Sequence, residues 1–196
     1  MSPPALEQQL PRELSEAEVL AQLEHAAPSA RLLIACLLSG LNTHELLNLR
    51  WGDIDLGAGE LHVGAPTDRR VIISPPLQAA ITGCIPAEPA PGAPVWGSAD
   101  RGYASGDLAA LISCAAHDAG LTRPSEVTPQ VFLHTYIAYL VRKGVRLSEL
   151  GKIFGEIPPT VLAAYGVLSP PGAALPLDSV DPVYPAVRVF FSTRAS

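Results

Sequence analysis

The densest group of side chains that could meet an anion is Arg142, Lys143, Arg146 and Lys152. Cations spaced this closely contact phosphate oxygens in proteins that hold nucleic acid. The same four also suit a solvated helix end, because positive charge is favoured at the negative pole of the backbone dipole. Metal chemistry has no comparable cluster. His44, His62 and His117 lack a second ligand at helical or strand spacing, so no metal and no cofactor is expected. Cys36, Cys84 and Cys114 show no CxxC spacing. An odd, scattered set fits reduced cytosolic thiols buried as small hydrophobes, and the expected location is the cytoplasm.

These side chains need elements to hold them. Ser15 followed by Glu16 and Glu18 predicts a helix N-cap with acids in the first turn, and a helix to about His25. Pro28-Ser29 starts a second helix. Its residues Leu32, Leu33, Ile34, Cys36, Leu37 and Leu38 are apolar nearly all round, so it should lie at the centre. Gly40 ends it, and Thr43 opens a short helix through Leu49. Residues 53–56 and 60–63 alternate around Gly57-Ala58-Gly59, the pattern of a hairpin, and Arg70 to Ile73 supplies a third strand. Pro75-Pro76 starts a helix to about Cys84. Residues 85–104 hold too many breakers for regular structure. Helices follow over 107–117, 128–143, 147–154 and 159–165, which puts the basic stretch at and beyond a helix C-terminus. The tail from 169 to 185 is proline-rich. Val187, Val189 and Phe191 then alternate like a strand, with Pro182 and Pro185 expected to keep helix out. The layout is α+β, mainly helical, with a small three-stranded antiparallel sheet. It divides into an extension (1–13), a domain (14–168) and a tail (169–196).

Composition narrows the classes. Hydrophobic residues are 48% and charged residues 16%, against a usual charged share of about 25%. Disorder is excluded for most of the chain. The longest nearly pure apolar run, Leu32 to Leu41, is far short of the about 20 residues of a membrane span. Met1-Ser2-Pro3-Pro4 lacks a basic start followed by an apolar stretch, so no secretory signal is expected. The net charge is −6, and Lys143 and Lys152 are the only lysines, which argues against a general polyanion coat. The acidic excess is concentrated at the N-terminus: residues 1–30 carry five acids and one base, net −4, and residues 31–166 carry twelve acids and ten bases, net −2.

Two local strings go further. Ser39-Gly40-Leu41-Asn42-Thr43-His44-Glu45-Leu46-Leu47-Asn48-Leu49-Arg50-Trp51-Gly52-Asp53-Ile54-Asp55 resembles the opening motif of the tyrosine recombinase (phage integrase) catalytic domain, Thr-Gly-Leu-Arg-x-x-Glu-Leu-x-x-Leu-x-Trp-x-Asp-Ile-Asp. Thr128-Pro129-Gln130-Val131-Phe132-Leu133-His134-Thr135 resembles its Thr-Pro-His-x-Leu-Arg-His-Thr box. Gly144-Val145 and Ile153-Phe154-Gly155-Glu156 resemble the family's next two segments, and Tyr165 stands at the family's spacing for its nucleophile. The resemblance covers about residues 14–168 and implies the fold of that catalytic domain.

It also implies a chemistry. In the family a tyrosine hydroxyl attacks a DNA phosphodiester without metal. Two arginines hold the nonbridging oxygens, a hairpin lysine is the general acid, and histidines assist. Here Asn42 and Leu133 stand at the two arginine positions, and Gln130 and Glu156 at two histidine positions. No lysine precedes Lys143, and Arg70 stands where the family has a structural arginine. Only Glu45, His134 and Tyr165 match. One clamp donor alone is worth about 10²–10³ in rate, so no catalytic residues are expected. Tyr165 then reads as a packed tyrosine with a satisfied hydroxyl, and His134 as a core histidine bonded to backbone. Glu45 reads as a capping or paired acid, with Arg50 or His134 as partner. Trp51, Ile54 and Leu56 read as core.

The expected function is a catalytically inactive recombinase-like domain that binds a protein partner or itself, self-association running through the strand Val187–Phe191. The alternative is a non-catalytic DNA-binding regulator that uses Arg142, Lys143, Arg146 and Lys152. It is opposed by net charge and by the about fourteen residues before the first matching helix, from which the family's DNA-clamping N-terminal domain is expected to be missing. DNA binding is expected to be weak. An active recombinase fits least.

Overall fold

The structure is a computed structural model that describes residues 10–64, 68–98, 101–155 and 157–193. Helix α1 (Glu16–His25) opens with the capping box that Ser15 and Glu18 predict. The Glu18 N–H donates to Ser15 Oγ at 3.3 Å and the Ser15 N–H to the Glu18 carboxylate at 2.9 Å. Helix α2 (Pro28–Leu37) is the axis of the core, with Leu32 through Leu37 all buried. Gly40 then turns the chain at φ +92°. A Cβ there would lie 2.3 Å from Ile153 Cγ2, so glycine is required both for the turn and for the close approach of the 150s.

Helix α3 (Thr43–Asn48) leads into strands β1 (Ile54–Asp55), β2 (Glu60–Val63) and β3 (Arg69–Ile72). They pair antiparallel in the order β1-β2-β3, with Leu61 opposite Val71 and His62 opposite Arg70. Leu61, Val63, Val71 and Ile73 turn one face of this sheet to the core. Trp51, Ile54 and Leu56, expected in the core, lie half-buried at its margin. Helix α4 (Pro75–Thr82) packs on α2.

The stretch 85–104 is not wholly irregular. Its glycines permit a two-residue-per-strand hairpin, β4 (Gly97–Ser98) with β5 (Arg101–Gly102). Helices α5 (Ser105–Asp118) and α6 (Pro129–Arg142) complete the layer around α2. Beyond them the predicted helix 147–154 is broken into a 3₁₀ turn (Leu147–Glu149) and the short α7 (Gly151–Phe154), and α8 (Pro159–Tyr165) follows.

The C-terminal segment corrects the sequence reading. Val187–Phe191 is not a strand but the middle of helix α9 (Pro185–Ser192). Pro185 occupies the first helical position, where its missing N–H has no helical partner to lose, so it starts the helix instead of blocking it. Ala186, Val187, Phe190 and Phe191 form the buried face, a helical spacing that alternation over five residues concealed. That face packs on α1 and α4 of the same chain, and the Arg31 guanidinium lies 5.2 Å from the Phe190 ring centre. The segment therefore offers no strand for self-association.

Residues 10–14 cross the same side. The Leu14 N–H donates to Thr135 Oγ1 at 3.0 Å, and Arg12 donates to the Thr122 carbonyl at 2.9 Å. No helix among the described residues is long and apolar enough to cross a membrane.

Candidate functional site

Three of the residues singled out in the sequence meet on one surface. Asn42 at the start of α3, and Gln130 and Leu133 on the first turns of α6, line a cleft of about 270 Å³ together with Thr43 and His44. Among the described residues that line it there is no arginine or lysine. Asn42 caps α3: its side chain accepts from the Glu45 N–H at 3.0 Å, and its own N–H donates to the Glu45 carboxylate at 2.8 Å. Gln130 is exposed and Leu133 half-buried. Glu156 lies outside the described residues.

Glu45 is buried, and its partner is neither Arg50 nor His134 but Arg69 on β3. Arg69 Nε and Nη2 donate to the two carboxylate oxygens at 3.0 and 2.9 Å, and Nη2 also reaches the Gly40 carbonyl at 2.9 Å. The pair clamps α3, the Gly40 turn and β3 together. Arg70, read from the sequence as the structural arginine, instead pairs at the surface with Glu60 at 2.8 Å. The strand pattern held the signal. Arg69 shares its face with Val71 and Ile73, the core face, and an arginine turned inward needs an acid.

His134 and Tyr165 meet inside the domain. His134 Nδ1 and the Tyr165 hydroxyl share a hydrogen bond of 2.7 Å, with ring centres 5.3 Å apart and each residue 4% exposed. His134 thus bonds to a side chain, not to backbone. Burial lowers the His134 pKa from its ordinary value, with Glu13 opposing and Arg142 assisting, so the imidazole is neutral. Burial and the nearby Glu13 carboxylate push the Tyr165 phenol up to about 12. That direction is opposite to what a nucleophile needs. Tyr165 does not line the cleft of Asn42 and Gln130.

The basic stretch is spread along the end of α6 and the turns beyond it, each side chain held by its own chain. Arg142 pairs with Glu13, and Lys143 lies 5.6 Å from the centre of the Tyr139 ring. Arg146 donates to the Ala174 carbonyl at 2.5 Å, and Lys152 pairs with Glu149 at 2.6 Å. None of the four lines the cleft. Among the described residues no group of three or more His, Cys, Asp or Glu side chains is placed to hold a metal ion.

No protein-family profile matches the chain, and no curated protein matches it. Solved structures do. XerA recombinase superposes with a TM-score of 0.68 at 20% identity, over 100% of this chain and 67% of that one. XerH site-specific recombinase, bound to its difH substrate in a pre-cleavage complex, gives 0.62 at 16% identity, over 80% of this chain and 50% of that one. The integrase from mycobacterium phage Brujita gives 0.60 at 15% identity, over 91% and 65%. The fold is that of a tyrosine recombinase catalytic domain. The chain corresponds to half to two thirds of the length of these proteins.

Proposed function

We propose that this chain is a tyrosine-recombinase-like domain that does not cut DNA and serves as a protein-interaction module. The observation that carries the reading is the cleft in which Asn42, Gln130 and Leu133 stand together with no arginine or lysine among the described residues that line it. Attack of a phenol on a phosphodiester gathers negative charge on the nonbridging oxygens, and that charge needs fixed donors. Leu133 offers none, and Asn42 offers at most a neutral amide N–H in place of a guanidinium, on a side chain whose oxygen caps α3. The nucleophile position supports the same reading, because Tyr165 is buried, bonded to His134 and harder to ionise than a free tyrosine.

A protein partner is favoured over DNA by what the surface offers. Among the described residues, seven arginine and lysine side chains are paired with the chain's own carboxylates, and the chain carries a net charge of −6. Ile72 and Val167, by contrast, are 79% and 80% exposed. The DNA-binding regulator remains the second reading and rests on the likeness to XerH, which is bound to its difH substrate.

Nicked suicide DNA substrates resolved on a denaturing gel test the loss of catalysis. No covalent adduct is expected with the natural chain or with Asn42→Arg/Leu133→Arg. A shifted band lost in Tyr165→Phe would overturn the proposal. A salt-dependent gel shift separates the two readings, with binding no tighter than about 10⁻⁴–10⁻⁶ M expected at physiological salt. Sub-micromolar, sequence-selective binding would favour the regulator.

A further inference from the structure

The proposed interaction module needs a surface, and the sheet supplies one. The Ile73 N–H donates to the Gly59 carbonyl at 2.8 Å, and Val71 stands opposite Leu61. Backbone groups of successive strand residues point to opposite sides. Those of Arg69, Val71 and Ile73 therefore turn to β2, and those of Arg70 and Ile72 turn to the open edge. Among the described residues no backbone bond from another segment reaches them. An uncovered row of this kind is a template for another strand.

A groove of about 420 Å³ runs along this edge, lined by Arg69, Arg70, Val71 and Ile72 in succession. Both faces of a strand can line one groove only at the strand's edge. The opposite wall is α7 and the tail from Leu177 to Val183, and the floor includes Leu38, Tyr136 and Val187. The Tyr136 hydroxyl is already spent on the Pro182 carbonyl at 2.9 Å, so the floor asks for apolar side chains. The rim is different. Arg70 and Lys152 sit in pairs whose cations are 73% and 65% exposed. Such pairs are weak and exchange readily for another carboxylate. Arg69 lines the groove too but is committed to the buried Glu45, so the exchangeable cations are Arg70, now on Glu60, and Lys152, now on Glu149.

We propose that this groove binds an extended peptide segment of a partner protein, which adds to β3 as a fourth strand. Alternate side chains of the segment turn inward to the apolar floor. An acidic residue lies beside Arg70 and an apolar one covers Ile72. Main-chain bonds to Arg70 and Ile72 hold the segment, and the pockets select it. The inference rests on the reading of the chain as an interaction module.

The probe is a panel of fluorescent heptapeptides that alternate Val or Ile with Thr, with and without Asp or Glu between, titrated into the full chain. Acidic members are expected to bind, and basic counterparts are not. Amide hydrogen exchange at Arg70 and Ile72, fast in the free chain, is expected to slow on binding. Methylating every second peptide nitrogen should weaken binding at least about tenfold in one register and leave it unchanged in the other, because only one set of N–H groups faces β3. Ile72→Pro removes an outward N–H that the sheet does not use, and should abolish binding without lowering the melting temperature. Arg70→Glu gives a second reading that leaves the backbone alone, and should reverse the preference from acidic to basic peptides. If no peptide binds a chain that forms no DNA adduct, or if peptides bind without protecting Arg70 and Ile72, the groove assignment is wrong. A Tyr165-dependent DNA adduct would instead remove the reading beneath it.

Discussion

Two layers of the same corner of the molecule answer to different constraints. The outer layer is the cleft surface of Asn42, Gln130 and Leu133, each at least partly open to solvent. The inner layer is Glu45, His134 and Tyr165, which are 5%, 4% and 4% exposed. The resemblance to the recombinase motifs fails at every residue of the outer layer and holds at every residue of the inner one. The difference follows from burial. A buried carboxylate without its arginine, or a buried phenol without its imidazole, costs stability whatever the domain does. The cleft residues keep only what serves the fold: Asn42 caps α3, Leu133 packs its apolar side chain against the core, and exposed Gln130 has neither tie, so in a domain that does not handle phosphate none of them needs to be a cation. On the proposed function, side chains of the family's active site persist where they also hold the fold.

That contrast can be broken most sharply at Glu45. Glu45→Gln leaves the Arg69 guanidinium buried beside a neutral amide, and one-sided removal of a buried ion pair costs about 3–5 kcal/mol. Urea unfolding should show a midpoint moved far down, and a near-native midpoint would mean that the inner layer is not structural. The second test is pH. A phenol raised from 10 to about 12 keeps its proton in the folded chain after the unfolded chain has lost it. Stability from Tyr165 is therefore present below pH 10 and is lost as pH rises through 12, at most about 2–3 kcal/mol in all. The buried Tyr136 and Tyr184 phenols are pushed the same way, so alkaline unfolding should be steep, and Tyr165→Phe should make it measurably shallower. An identical alkaline profile for Tyr165→Phe would remove Tyr165 from the inner layer. On the acid side the sign is opposite. His134 resists protonation in the fold, so its contribution is complete above its ordinary pKa of 6.5 and declines as pH falls below it. The smallest effect belongs to the cleft: Gln130→Ala should change stability by no more than about 0.5 kcal/mol. Thermal melts that show a larger loss would mean that Gln130, like Asn42, also carries the fold.

Local chemistry was legible where a rule reaches only a few residues. The Ser15–Glu18 box, the all-apolar α2, the Gly40 stop and the three-strand meander all follow from neighbours in sequence, and all stand in the structure. The helical signal of Ala186, Val187, Phe190 and Phe191 was present too, but five residues of alternation fit a strand equally well. What decided for helix was the apolar seat offered by α1 and α4, which no local pattern contains.

The sequence by itself determined the fold class, the absence of positive charge at Asn42 and Leu133, and the acidic balance of the chain, because each depends on residue identity alone. Only the tertiary structure decided that Glu45 belongs to Arg69, twenty-four residues away, and His134 to Tyr165, thirty-one away. It alone decided that the basic stretch is bound up by Glu13, Ala174 and Glu149, and that β3 presents an open edge over an apolar groove. Pairing and exposure are properties of distance in space. A sequence specifies distance only along the chain, and a charge becomes free, paired or buried only when packing brings another segment to it.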